Sequence, residues 1–113
     1  MKGLKRHCFA LDLVDDPVLI AEYKKYHEKI WPEITASIRN AGIENLDIYC
    51  VDNRLFMIME VNSTFSFEKK AMMDAKNPKV QEWETLMWTY QQKLPTSKPN
   101  EKWRLMEHIF QLE

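Results

Sequence analysis

A histidine within reach of a phenol and an indole is the first feature that could do chemistry. Ile20, Tyr23, His27, Ile30, Trp31, Ile34 and Ile38 recur at the i, i+3, i+4, i+7 spacing of one helical face. His27 therefore lies in an apolar stripe, with Tyr23 four residues before it and Trp31 four residues after it. An imidazole titrates near neutral pH and can give or take a proton, a phenol can position a polar ligand, and an indole can wall the site. The same spacing also fits a core histidine whose ring is satisfied by a backbone carbonyl, and both readings stay open at this level.

The remaining reactive side chains are more dispersed. Trp31, Trp83, Trp88 and Trp103 are many indoles for so short a chain. They suit stacking on the C–H faces of a sugar, but also a core or a dimer interface. Met57, Met59, Met72 and Met73 read as packing residues. Asp12, Asp47, Glu60 and Glu107 fall in predicted strands, where two of them could form a glycoside-type acid/base pair. His7 and His108, on the first and last predicted strands, could approach each other, but they lack the further ligands zinc requires.

These side chains need elements to hold them. His7 to Val14 alternates as a strand does. Asp15 and Asp16 before Pro17 open a helix running to Asn40 and Gly42, with a kink or break expected near Lys29 to Trp31 because Pro32 lacks a donor and crowds the preceding turn. Leu46 to Val51 and Leu55 to Val61 form a hairpin around Asp52 and Asn53. Helices follow over Phe65 to Ala75 and Pro78 to Lys93, then a loop and a last strand over Arg104 to Leu112. The order β-α-β-β-α(α)-β predicts an α+β ferredoxin-like split βαβ fold, a four-stranded antiparallel sheet with helices on one face. The other face must be covered by something, and a second copy packing sheet on sheet is one usual outcome.

Composition narrows the function. The 113 residues suit a single domain over 1–113, and a net charge of −1 gives no footprint for nucleic acid. No apolar run is long enough to span a membrane. The only two glycines, Gly3 and Gly42, cannot build a phosphate cradle, which argues against nucleotide chemistry. Cys8 and Cys50 are far apart, no secretion signal precedes them, and no metal-ligand spacing occurs, so a reduced cytoplasmic protein without a metal site is expected.

The run AEYKKYHEKIWPE, residues 21–33, resembles the E-Y-x-x-x-H-x-x-I-W-P-E signature of the L-rhamnose mutarotase family. The resemblance extends from about His7 to Leu112 through N-x-x-I-Y at Asn45 to Tyr49, L-F-x-M-x-E-V at Leu55 to Val61, Q-x-W at Gln81 to Trp83, and the closing Phe110 and Leu112. It implies a homodimeric α+β barrel that interconverts the anomers of a 6-deoxy-L-hexose, L-rhamnose or L-fucose, without cofactor or metal. It also implies that His27 is the catalytic proton donor, that Tyr23 contacts the sugar, and that Trp83 is the first of two adjacent tryptophans lining the site. Leu46 stands where the rhamnose enzymes have a tyrosine, and Glu84 where they have the second tryptophan. These two departures remodel the pocket that reads hydroxyl stereochemistry and bring L-fucose forward as substrate. Trp31, Leu46 and Trp83 are candidates to face the apolar 6-methyl group, and Tyr23 and Glu84 to bond hydroxyls. Two other readings compete: a dimeric α+β barrel oxygenase or haem-handling protein, which would also present a helix histidine to an aromatic cavity, and a sugar-binding module in which nothing reacts.

Overall fold

The computed structural model describes residues 3–99 and 101–112; residues 1, 2, 100 and 113, which the single-domain expectation also spans, lie outside the described residues. Strand β1 (Lys5–Leu13) is followed by helices α1 (Pro17–Tyr26) and α2 (Pro32–Asn40), and then by the hairpin β2 (Ile43–Val51) and β3 (Arg54–Val61). Helices α3 (Phe67–Ala75) and α4 (Pro78–Trp88) come next, and two short strands, β4 (Gln91–Gln92) and β5 (Arg104–Leu105), end the order. The sheet is antiparallel with order β2-β3-β1-β4, and β5 also pairs with β1. This is the expected α+β arrangement.

Local chemistry explains the starts. Asp16 caps α1 by accepting from the Val18 and Leu19 amides, Ser66 caps α3 through Lys69, and Asn77 caps α4 through Lys79 and Val80. Pro17 and Pro78 occupy first-turn positions where no amide donor is needed. The hairpin turns through Asp52 at φ +51°, a conformation aspartate tolerates better than most residues. Gly42, leaving α2 at φ +98°, sits so close to Asn62 and Thr64 that a Cβ there would approach their side-chain oxygens to 2.8 Å.

Several boundaries differ from expectation. The long first helix is two helices, with the chain out of helix from His27 to Trp31. Pro32 forces Trp31 to φ −56°, ψ 135°, outside the helical region, and its ring would crowd the carbonyl four residues back, so the break takes in more residues than a kink. Phe65 lies before α3 because Ser66 is the cap. Helix α4 stops at Trp88 rather than Lys93; Tyr90 turns inward, its carbonyl accepts from Val14, and Gln91 and Gln92 pair with Leu13 and Asp12 as a strand. The last strand is only Arg104–Leu105, extended by one bond from the Met106 amide to the Cys8 carbonyl. Beyond it the tail finds no ladder, and Ile109 and Leu112 stay 84% and 83% exposed.

Alternation gives the sheet two faces. Phe9, Leu11, Leu13, Leu55, Met59 and Val61 are buried on the face packed against the helices. The opposite face carries Cys8, Ala10, Phe56 and Ile58, with Tyr49 and Val51 60% and 68% exposed. Two ion pairs bridge strands there: Arg54 forks onto Asp12 at 2.7 and 3.1 Å, and Arg6 meets Glu60 at 3.1 Å.

Candidate active site

A cavity of about 230 Å³ lies between the helix-covered face of the sheet and the helices. This is somewhat below the ~300–1,000 Å³ of sites for drug-sized ligands and suits a smaller molecule. Leu46 and Ile48 of β2 and Met57 and Met59 of β3 supply its floor, while Ile30, Ile34 and Trp83 supply apolar walls. Into this lining project Tyr23, His27, Glu84, Gln91, Lys70 and Lys102.

His27 is placed by the end of α1. The last turn tightens, so the His27 amide donates to the Lys24 carbonyl rather than to Tyr23 four residues back. The imidazole turns back instead, and its Nδ1 meets the Tyr23 carbonyl at 2.8 Å. A carbonyl can only accept, so Nδ1 carries the hydrogen and Nε2 keeps its lone pair. No group among the described residues bonds Nε2. Burial lowers the His27 pKa from its ordinary value near 6.5, and the bond to the Tyr23 carbonyl offsets only part of that shift. The ring at neutral pH is therefore a neutral base held in one tautomer. One nitrogen is satisfied by a backbone carbonyl, as a core histidine's would be, while the other has no partner among the described residues on a side chain that lines the cavity.

Tyr23 is 3% exposed, with its ring centroid 4.4 Å from that of His27. Its hydroxyl accepts from the Gln91 amide at 3.2 Å. Burial pushes its pKa up to about 12, so it remains a phenol. Trp83 closes the other side of His27, with centroids 5.7 Å apart.

The structure brings His27, Tyr23, Leu46, Trp83 and Glu84 together on one cavity. Trp31 is the exception. Its indole stands behind Trp83, edge-on at 5.0 Å, with Lys79 over its ring, and it is absent from the lining. Pro32 causes this, because the break takes Trp31 off the line of the α1 stripe. The strand carboxylates form no pair at the cavity: Asp12 and Glu60 hold arginines on the opposite face, and Asp47 and Glu107 are exposed. His7 packs against Phe67 at 5.0 Å while His108 bonds the Phe110 carbonyl, so the two histidines are not partners. Met57 and Met59 belong to the cavity floor as well as to packing.

Sequence reasoning passed over Gln91, Lys70 and Lys102, all of which line the cavity, and Trp103, weighed there among the four indoles, lines it too. Gln91 was hidden by the overlong α4, and Lys102 by the loop that carries it. Lys70 had one visible sign, an aspartate four residues on, which it meets at 2.6 Å.

The sequence profile described as L-rhamnose mutarotase matches residues 6–112. The chain belongs to the L-rhamnose mutarotase family. Within that family it is 45% identical over 112 residues to the L-fucose mutarotase of Xanthomonas campestris pv. campestris, covering 97% of this chain and 90% of that one. Among solved structures, the L-rhamnose mutarotase of Formosa agariphila superposes with a TM-score of 0.71 at 23% identity, covering 96% of this chain and 99% of the other. A dimeric ferredoxin-like protein from an uncultured marine organism shares the fold at TM-score 0.56 and 14% identity, covering 99% and 95%. These likenesses bear out the expected fold and family. The family's members named here are mutarotases, which are carbohydrate isomerases.

Proposed function

We propose that the protein is a sugar mutarotase acting on a 6-deoxy-L-hexose, with L-fucose as its first substrate and His27 as the acid/base. The observation that carries this reading is the imidazole: Nδ1 is pinned to the Tyr23 carbonyl and Nε2 is free at the cavity. Opening a hemiacetal removes the proton of the anomeric hydroxyl, breaks the bond from C1 to the ring oxygen, and protonates that oxygen. A neutral Nε2 takes the first proton, and the imidazolium so formed delivers it to the ring oxygen. Rotation about C1–C2 and the same two transfers in reverse give the other anomer. The protein ends each cycle as it began, and no cofactor or metal enters the scheme.

The lining supports a monosaccharide with one apolar end. Leu46 and Trp83 suit the 6-methyl group, while Glu84 and Tyr23 suit hydroxyls. Glu84 lines the cavity half-buried, where a ligand can reach it. The higher identity to the L-fucose enzyme, 45% against 23% for the solved L-rhamnose enzyme, favours L-fucose.

A second copy of the chain is the proposed cover for the open face of the sheet. Tyr49, Val51, Phe56 and Ile58 offer apolar surface there, and the exposed Phe110 and Leu112 of the tail add to it. One domain per chain and a cytoplasmic setting complete the proposal. Cys8 and Cys50 are free thiols, and among the described residues no helix is long and apolar enough to cross a membrane.

Saturation-transfer NMR across the anomeric protons tests the activity directly. Faster exchange for L-fucose than for L-rhamnose, at catalytic protein concentration, is the expected result. Exchange no faster than buffer for both sugars would return the cavity to a binding role.

A further inference from the structure

The Tyr23 phenol has one hydrogen to give, and the Gln91 amide decides where it goes. Gln91 Nε2 donates to the Tyr23 oxygen at 3.2 Å, across 68 residues of sequence. An amide N–H has no lone pair, so Tyr23 is the acceptor in that bond and its own hydrogen must point elsewhere. No other protein acceptor for it occurs among the described residues, and both side chains line the cavity. Strand β4 fixes the arrangement: Gln91 pairs with Leu13 in the sheet, and Tyr23 is locked between His27 and Tyr90, whose ring centroid lies 6.2 Å away. Burial holds Tyr23 protonated through the working pH range.

We propose that Gln91 is a positioning residue that makes Tyr23 an obligate hydrogen-bond donor to a sugar oxygen in the cavity. The site then presents complementary atoms side by side: an acceptor at His27 Nε2 and a donor at the Tyr23 hydroxyl. A hemiacetal offers the matching pair, a hydroxyl that must lose its proton and a ring oxygen that gains from a donor as charge builds on it. This inference rests on the mutarotase reading, and it assigns Gln91 a role in that reaction although the residue need not touch the substrate.

The test is a double-mutant cycle on Gln91 and Tyr23, read as kcat/KM for L-fucose anomer exchange. Gln91→Glu replaces the donor with an acceptor, so Tyr23 turns its hydrogen away from the sugar; we expect a loss of about tenfold, matching Tyr23→Phe. In the Tyr23→Phe background the same change at position 91 is expected to add almost nothing. The ratio of Gln91→Glu to wild-type activity should also rise as pH falls through the carboxyl range near pH 4–5, because a protonated carboxyl can again donate. A full additional loss in the Tyr23→Phe background would show that Gln91 acts on its own and overturn the proposal. Wild-type activity in Gln91→Glu would overturn it too, because Tyr23 would then be donating to position 91 already. If Gln91→Glu fails to fold by circular dichroism, Gln91→Leu enters the same cycle, with a smaller loss expected and the same non-additivity required. Should the wild-type protein not accelerate exchange at all, the mutarotase reading fails first, and that outcome is separate from these.

Discussion

The two faces of one sheet have been put to opposite uses. On the face toward the helices, Tyr23, Ile34, Met59 and Trp83 enclose a cavity in which a single imidazole is desolvated and its tautomer fixed. On the other, charges are paired across strands, Arg54 to Asp12 and Arg6 to Glu60, among apolar side chains that stay accessible. The strand carboxylates meet arginines on the open face, while the cavity is lined by Glu84 and by Lys70, which is paired with Asp74. A charge near His27 would shift its pKa, whereas a charge bonded across the open face costs little and helps set strand register. The alternation of the strands thus keeps the two arginine–carboxylate pairs off the face that His27 covers.

Predictions follow that contrast from large effects to small. His27→Ala should lower anomer exchange by about 10²- to 10⁴-fold while circular dichroism stays unchanged, as befits a half-buried side chain at a helix end. Undiminished exchange would remove the covered face from the chemistry. Trp83→Ala should cost about 3–5 kcal/mol in denaturant unfolding, because a buried indole between Trp31 and His27 leaves a hole. Ile58→Asp, on the open face, should convert a dimer to a single-chain mass by light scattering with exchange per chain retained; an unchanged dimer would place the second copy elsewhere. The smallest effect is a pH dependence. Burial lowers the folded-state pKa of His27, so as pH falls below about 6.5 the unfolded chain binds a proton before the folded one does. Stability from this group is complete above that pH and declines through the window beneath it, while exchange holds until pH falls to the lowered folded-state pKa and the base is lost. Thermal melts of wild type and His27→Ala between pH 7.5 and 5 check this, and identical pH slopes would contradict it.

Much of this was legible in the residues. Asp16 and Asn77, each followed by a proline, mark where two helices begin, because a cap is a local interaction that short sequence windows contain, whereas the Ser66 cap went unread and α3 starts two residues later than expected. His27, Tyr23, Trp83, Leu46 and Glu84 were found through periodicity and family resemblance, and one cavity gathers all five. Helix ends were harder. Trp88 ends its helix for a tertiary reason, the inward burial of Tyr90, whereas the break after Tyr26 follows from Pro32 and only its length was unforeseen. Gln91 escaped notice for the same cause: its bond to Tyr23 exists only once β4 has docked on β1.

The short gap between α1 and α2 has a consequence for anyone who would redesign the protein. Replacing Pro32 and its neighbours with strong helix formers would be the obvious route to a longer, sturdier helix. A continuous helix, however, would return the His27 amide to the Tyr23 carbonyl and displace the ring nitrogen that now occupies it. The imidazole would lose its anchor and with it the assignment of which nitrogen is basic. Thermal robustness in this segment and catalytic competence draw on the same carbonyl oxygen, so a gain in one is a loss in the other.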